Sequence, residues 1–155
     1  MSNSGPAVNG PLPTPGRYLK VSLFLRKVPS VSDEYFHGYW RNNHLVPAFA
    51  NDTFMSKVRK YNQNRSPFAN TEKHHITPDV RAEAQSLGIP VLDYDGVAEV
   101  WVDGVEDWKQ IVTDTDFVKA VAEDEKHFIL HPINVMFGWD NLIIDKEAGI
   151  NNGPK

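Results

Sequence analysis

The chain has 155 residues, enough for one domain with a real core and too few for two comfortable ones. Apolar residues make up 41% of it and charged residues 23%, the composition of an ordinary globular domain. A net charge of −4 without any long basic run argues against a nucleic-acid binder, and the lack of cysteine excludes a disulfide scaffold, a thiolate metal site and a cysteine nucleophile.

Residues 1–16 carry Pro6, Pro11, Pro13 and Pro15 among Ser, Asn and Gly, and are expected to form a disordered arm. They hold no apolar stretch of the roughly 7–15 residues that a secretory signal requires. No window approaches the roughly 20 apolar residues of a membrane span. Together with the missing cysteines, this points to a cytoplasmic protein without a membrane partner.

Arg17 to Lys27 alternates as a strand, with Leu19, Val21, Leu23 and Leu25 on one face. Ser32-Asp33-Glu34 opens a helix expected to run to about Asn43, with Pro47 as a kink or an end. Thr53 to Gln63 reads as the second strand. Residues 64–90 show no clear periodicity and read as an insert, with a short helix over Pro78 to Leu87 that Gly88 would end. The third strand is expected over Tyr94 to Val102. A helix follows over Val105 to Ile111, resuming over Thr115 to Glu125. Pro132 introduces the last strand, Ile133 to Ile144, and residues 146–155 read as a flexible tail.

This order, β-α-β-insert-β-α-β over residues 17–145, is the ferredoxin-like split βαβ plan of the α+β class. Both helices then lie on one sheet face. The other face carries Tyr18 and Phe24 and needs a cover, which a second subunit would supply, giving a homodimer shaped as a two-chain barrel.

His44 is the central candidate for chemistry. It sits near the C-terminal end of the first helix, on the stripe of Tyr35, Trp40 and His37. An imidazole exchanges protons near neutral pH, as general acid–base catalysis needs. The competing reading is a helix cap or a ring packed on Trp40. His127 and His131 lie four apart, a metal-like spacing, but Phe128, Ile129 and Leu130 fill the interval where a His-Glu-x-x-His site has its glutamate. Pro132 favours an extended His131, and spacing offers no third ligand, so no metal is expected. His131 is instead expected as a second proton-transfer or orienting residue at a cavity mouth, with His127 contacting substrate. His74-His75 in the insert reads as a solvated pair.

Tyr61 and Gln63 share one face of their strand, as Glu99 and Trp101 share one of theirs. A phenol beside aromatic walls suits a flat, hydroxylated ring, so Tyr61 is expected to act on a substrate oxygen and Gln63, Trp101 and Phe137 to bind the ring. Core filling is the alternative for Trp101 and Phe137. Arg26 suits a carboxylate, from substrate or from the protein itself.

The run Tyr35-Phe36-His37-Gly38-Tyr39-Trp40-Arg41-Asn42-Asn43-His44 resembles the first-helix signature of the EthD family. There an aromatic residue, a Trp and an Arg precede a His that Gly-Pro usually follows; this chain has Leu45-Val46-Pro47. Asp124-Glu125-Lys126-His127-Phe128-Ile129-Leu130-His131-Pro132 resembles the family's acidic-aromatic stretch before its last strand, where many members have Asp at the place of His131. The resemblance is greatest to fungal members from aromatic polyketide clusters. It implies a dimeric α+β barrel acting on a polyphenolic or β-polyketo substrate without metal or organic cofactor. Decarboxylation at His44 is the leading expectation. Dehydration or cyclisation, cofactor-free anthrone oxygenation, and a non-catalytic binding module for an aromatic metabolite are the alternatives.

Overall fold

The computed structural model describes residues 5–8, 10, 16–65 and 78–153. Most of the expected N-terminal arm, and residues 66–77 with His74-His75, lie outside the described residues.

Strand β1 (Leu19–Lys27) buries Leu19, Val21 and Leu25 on one side. Helix α1 (Asp33–Asn42) starts where the Ser32 hydroxyl accepts the Tyr35 backbone N–H, with Asp33 and Glu34 at the positive end of the helix dipole. It closes at Asn42, and the N–H groups of Asn43 and His44 both reach back to the Tyr39 carbonyl. A short helix α2 (Leu45–Phe49) follows, tolerating Pro47 within its first turn.

The strand expected over Thr53 to Gln63 is corrected by the structure. Asp52–Lys57 form helix α3, because the Asn51 side chain accepts the Phe54 backbone N–H at 2.8 Å and Phe54 turns into the core. Strand β2 (Val58–Arg65) begins only after it. Helix α4 (Pro78–Ser86) ends before Gly88, whose φ of 74° is left-handed and favours glycine. Strand β3 (Gly96–Val102), helix α5 (Val105–Thr113) and helix α6 (Thr115–Glu125) come next.

Strand β4 (Ile129–Trp139) starts earlier than Pro132 suggested, since Ile129 and Leu130 already pair with Lys27 and Arg26. As an edge strand, β4 tolerates a proline, whose missing N–H breaks no inner ladder. The His131–Pro132 peptide is cis. The chain closes with a small hairpin of β5 (Ile144–Asp145) and β6 (Ile150–Asn151), so part of the segment read as a tail is paired.

The four main strands form one antiparallel sheet in the order β2-β3-β1-β4, the ferredoxin-like α+β arrangement. On its helix-facing side, Val21 and Tyr61 both register with Val100, and Leu23 with Ala98. Phe36, Trp40 and Phe128 pack there with Leu25 and Ile129. Gly96 is required at that contact: a Cβ would lie 2.6 Å from the Trp40 ring. The opposite side carries Lys20, Ser22, Glu99 and Asn62 and is polar. Large exposed apolar groups instead collect along β4, at Val135, Met136, Phe137 and Trp139. No helix among the described residues is long and apolar enough to cross a membrane.

Candidate active site

Between the sheet and the helices lies a cavity of about 270 Å³. Leu23 and Leu25 of β1, Ala98 and Val100 of β3, and Tyr61 of β2 form its sheet side. Trp40, His44, Leu45 and Phe54 line another wall, and Trp108, Phe117 and Val121 a third. The volume sits near the lower end of small-molecule sites, which begin at roughly 300 Å³. Polar groups reach it from His44, Glu125 and Tyr61, and no Lys or Arg is among the described lining residues.

His44 is placed by the turn between α1 and α2, with its ring edge-on to Phe128 at 5.1 Å. Its Nδ1 lies 2.6 Å from Oδ2 of Asp124, at the end of α6. The other carboxylate oxygen of Asp124 accepts the Tyr39 hydroxyl, also at 2.6 Å. An imidazole facing a carboxylate holds its proton on Nδ1, which leaves Nε2 as the nitrogen for a ligand. The bond to Asp124, helped by burial and the carboxylate's charge, pushes the Tyr39 phenol up to about 12. The Tyr39 hydroxyl therefore acts as a donor that braces Asp124.

Tyr61 borders the cavity, and burial pushes its phenol up while the bond from Gln63 pulls it back. Gln63 Nε2 donates to the Trp40 carbonyl at 3.2 Å and to the Tyr61 hydroxyl at 3.3 Å. It thus orients two lining residues without lining the cavity itself. Trp40 is also a wall of the cavity.

Several expected site residues lie elsewhere. Trp101 faces the opposite side of the sheet, one residue out of step with Val100. The ammonium groups of Lys20 and Lys60 both lie over its ring, and its indole N–H donates to Asp140 at 2.8 Å. Arg26 is on that side too, bound to the Asp93 carbonyl at 2.9 Å and stacked over Tyr94. Phe137 shares the side of Val21, but the helices do not cover β4 and it stays half exposed. Tyr35 and His127 are exposed and flank Tyr39 outside the cavity. His131 reaches the site only through Glu125, with Nε2 3.1 Å from Oε2.

Three functional candidates escaped the sequence reading: Tyr39, Asp124 and Glu125. The available signal was their position inside the two stretches that resemble the EthD family. What was missing was the contact between those stretches, since Asp124 lies 80 positions from His44.

Fold and site together define a small ferredoxin-like α+β protein with an apolar pocket and a carboxylate-anchored histidine in its wall. The chain belongs to the EthD domain family, which matches residues 28–131. It is similar in structure to a dimeric protein of unknown function with a ferredoxin-like fold from Bacteroides fragilis. That pair shares 11% identity at a TM-score of 0.52, covering 82% of this chain and 100% of that one. It is also similar to an ethyl tert-butyl ether D (EthD) family protein from Bacillus halodurans, with 16% identity, a TM-score of 0.48, and coverage of 78% and 96%. A hydroxynitrile lyase from Passiflora edulis shows 11% identity, a TM-score of 0.49, and coverage of 84% and 100%. No curated protein matches the chain.

Proposed function

We propose that the protein is a cofactor-independent carbon–carbon lyase that decarboxylates an aromatic or pre-aromatic polyketide acid in this cavity. The observation that carries the reading is His44 in an apolar wall, with Nδ1 fixed by Asp124 at 2.6 Å. Such a pairing fixes the ring and aims the Nε2–H of its protonated form. His44 gives that proton to the ring carbon bearing the carboxyl group. The carbon–carbon bond then breaks, CO₂ leaves, and the electron pair returns into the ring as an enolate. Tyr61 donates to the adjacent oxygen. The substrate is its own electron sink, as the family resemblance implies.

Dehydration or cyclisation with His44 as base is the second reading. It is favoured by the lack of Lys and Arg among the described lining residues, which leaves a substrate carboxylate only His44 as a cationic partner. The exposed apolar residues of β4 support a homodimer built through that edge.

The test is incubation of purified protein with a carboxylated anthraquinone or anthrone acid, read by mass spectrometry. Loss of CO₂ that disappears in His44→Ala supports the lyase. Loss of water moves the assignment to a dehydratase or cyclase, oxygen uptake to an anthrone oxygenase, and unchanged, tightly held ligand to a binding module.

A further inference from the structure

Asp124 and Glu125 are consecutive at the end of α6, about 100° apart around the helix axis. Asp124 grips His44, while Glu125 joins the cavity lining. The Glu125 side chain is only 16% exposed, and its Oε2 meets Nε2 of His131, whose side chain is 57% exposed. One end of this pair therefore borders the ligand space and the other borders water. A buried carboxylate in an apolar wall is costly. Burial accordingly pushes the Glu125 carboxyl up, a trend that nearby Asp124 reinforces and the charges of His131 and His44 oppose. The site thus holds an imidazole fixed by Asp124 beside a carboxyl group that burial pushes up, two groups in different surroundings that can take different proton-transfer roles.

We propose that Glu125 is a second proton-transfer residue, giving its carboxyl proton to a ligand oxygen, and that His131 returns this proton from solvent. The inference rests on reading the cavity as an active site, and it deepens that reading by adding the oxygen end of the reaction. As the bond to CO₂ breaks, its electron pair moves to the neighbouring ketone oxygen. The Glu125 O–H bond breaks as the new ligand O–H bond forms, and CO₂ departs. The imidazolium of His131 then hands a proton to the Glu125 carboxylate and is itself reprotonated by water. In a dehydration the same proton leaves with the departing hydroxyl as water. The ligand class that fits is a planar, largely apolar ring system carrying a ketone or phenolic oxygen.

Glu125→Gln keeps the shape and removes only the transferable proton. It should lower kcat by about 10²-fold with little change in KM, whereas Glu123→Gln, on the exposed side of α6, should keep the parent rate. His131→Ala should lower kcat by about tenfold, with added imidazole restoring it. A parental kcat in Glu125→Gln alongside an inactive His44→Ala overturns the proposal and leaves the His44 reading standing. Parental rates in both overturn the two together. A readout without substrate is carbon-13 titration of the Glu125 carboxyl. It should titrate above the ordinary value of about 4.3, and higher still in His131→Ala, where the opposing cation is lost. A Glu125 that titrates at the ordinary value, or fails to move in His131→Ala, overturns the proposal even with no substrate in hand.

Discussion

His44 is held by one carboxylate, and that carboxylate is held in turn by Tyr39, so the position of the imidazole depends on two short bonds. Asp124→Asn preserves the shape but no longer selects the tautomer or fixes the ring. Its kcat should fall by about 10²-fold or more with KM little changed, and His44→Ala by at least as much. Steady-state kinetics on whichever compound the mass-spectrometric test identifies as a substrate decides this, and an unchanged rate in Asp124→Asn would remove the pair from the chemistry. Tyr39 offers an independent check. Its phenol has an ordinary value of 10.0 and lies at about 12 in the folded chain. A raised folded value contributes stability that is complete below the ordinary value and is lost as pH rises through about 12. Tyrosinate absorbance, read as the difference between the parent and Tyr39→Phe, should show this late titration. In Asp124→Asn it should move back toward the ordinary range.

At the scale of elements, the cavity depends on where helices sit on the sheet. Trp40 lies close enough to β3 that Gly96 has no room for a side chain. Gly96→Ala should therefore displace a fully buried indole and cost about 1–3 kcal/mol, measured by denaturant unfolding. It should also weaken ligand binding, since Trp40 is a cavity wall. Asp114 ties the helical layer together. Its carboxylate caps α6 at the Phe117 N–H and accepts from Thr53 and Asn51 of the α3 region. The Phe117 backbone bond, then those from Thr53 and Asn51, hold its carboxyl below the usual value of 3.8. The contribution is thus present above that value and is lost as pH falls through the lower folded one. Asp114→Ala should lower the melting temperature at neutral pH, and the gap to the parent should shrink in strong acid. A constant gap would show that the carboxylate's charge is irrelevant to the clamp.

For the whole molecule, the distribution of exposed apolar surface matters more than its amount. Val135, Phe137 and Trp139 stand on one side of β4, Met136 on the other, and Leu142, Ile143 and Ile144 follow in the next segment. A contiguous patch on a sheet edge is what a monomer normally avoids. Light scattering after size-exclusion chromatography should give the mass of two chains for the parent. The double substitution Val135→Lys and Phe137→Lys should give one, with the circular dichroism spectrum unchanged. A parent that runs as a single chain at micromolar concentration would remove the dimer.

The strand order, the start of α1 at Ser32 and the end of α4 before Gly88 were all legible in the sequence, because caps, glycines and period-two runs act over a few residues. Local signals failed where a cap overrode a weak alternation, as Asn51 did in turning 52–57 into helix. They failed again where an edge strand absorbed Pro132. His44 could be singled out from its place just beyond the first helix and its family resemblance. Its partners could not, because Tyr39 and Asp124 meet only after the end of α6 is brought beside the end of α1. In β2 and β3, strand alternation named the residues on each face without saying which face the helices cover. That choice separated Tyr61, beside the cavity, from Trp101 and Arg26 on the far side. Which side chains face a common space is a property of packing between distant segments, and only the tertiary structure decided it.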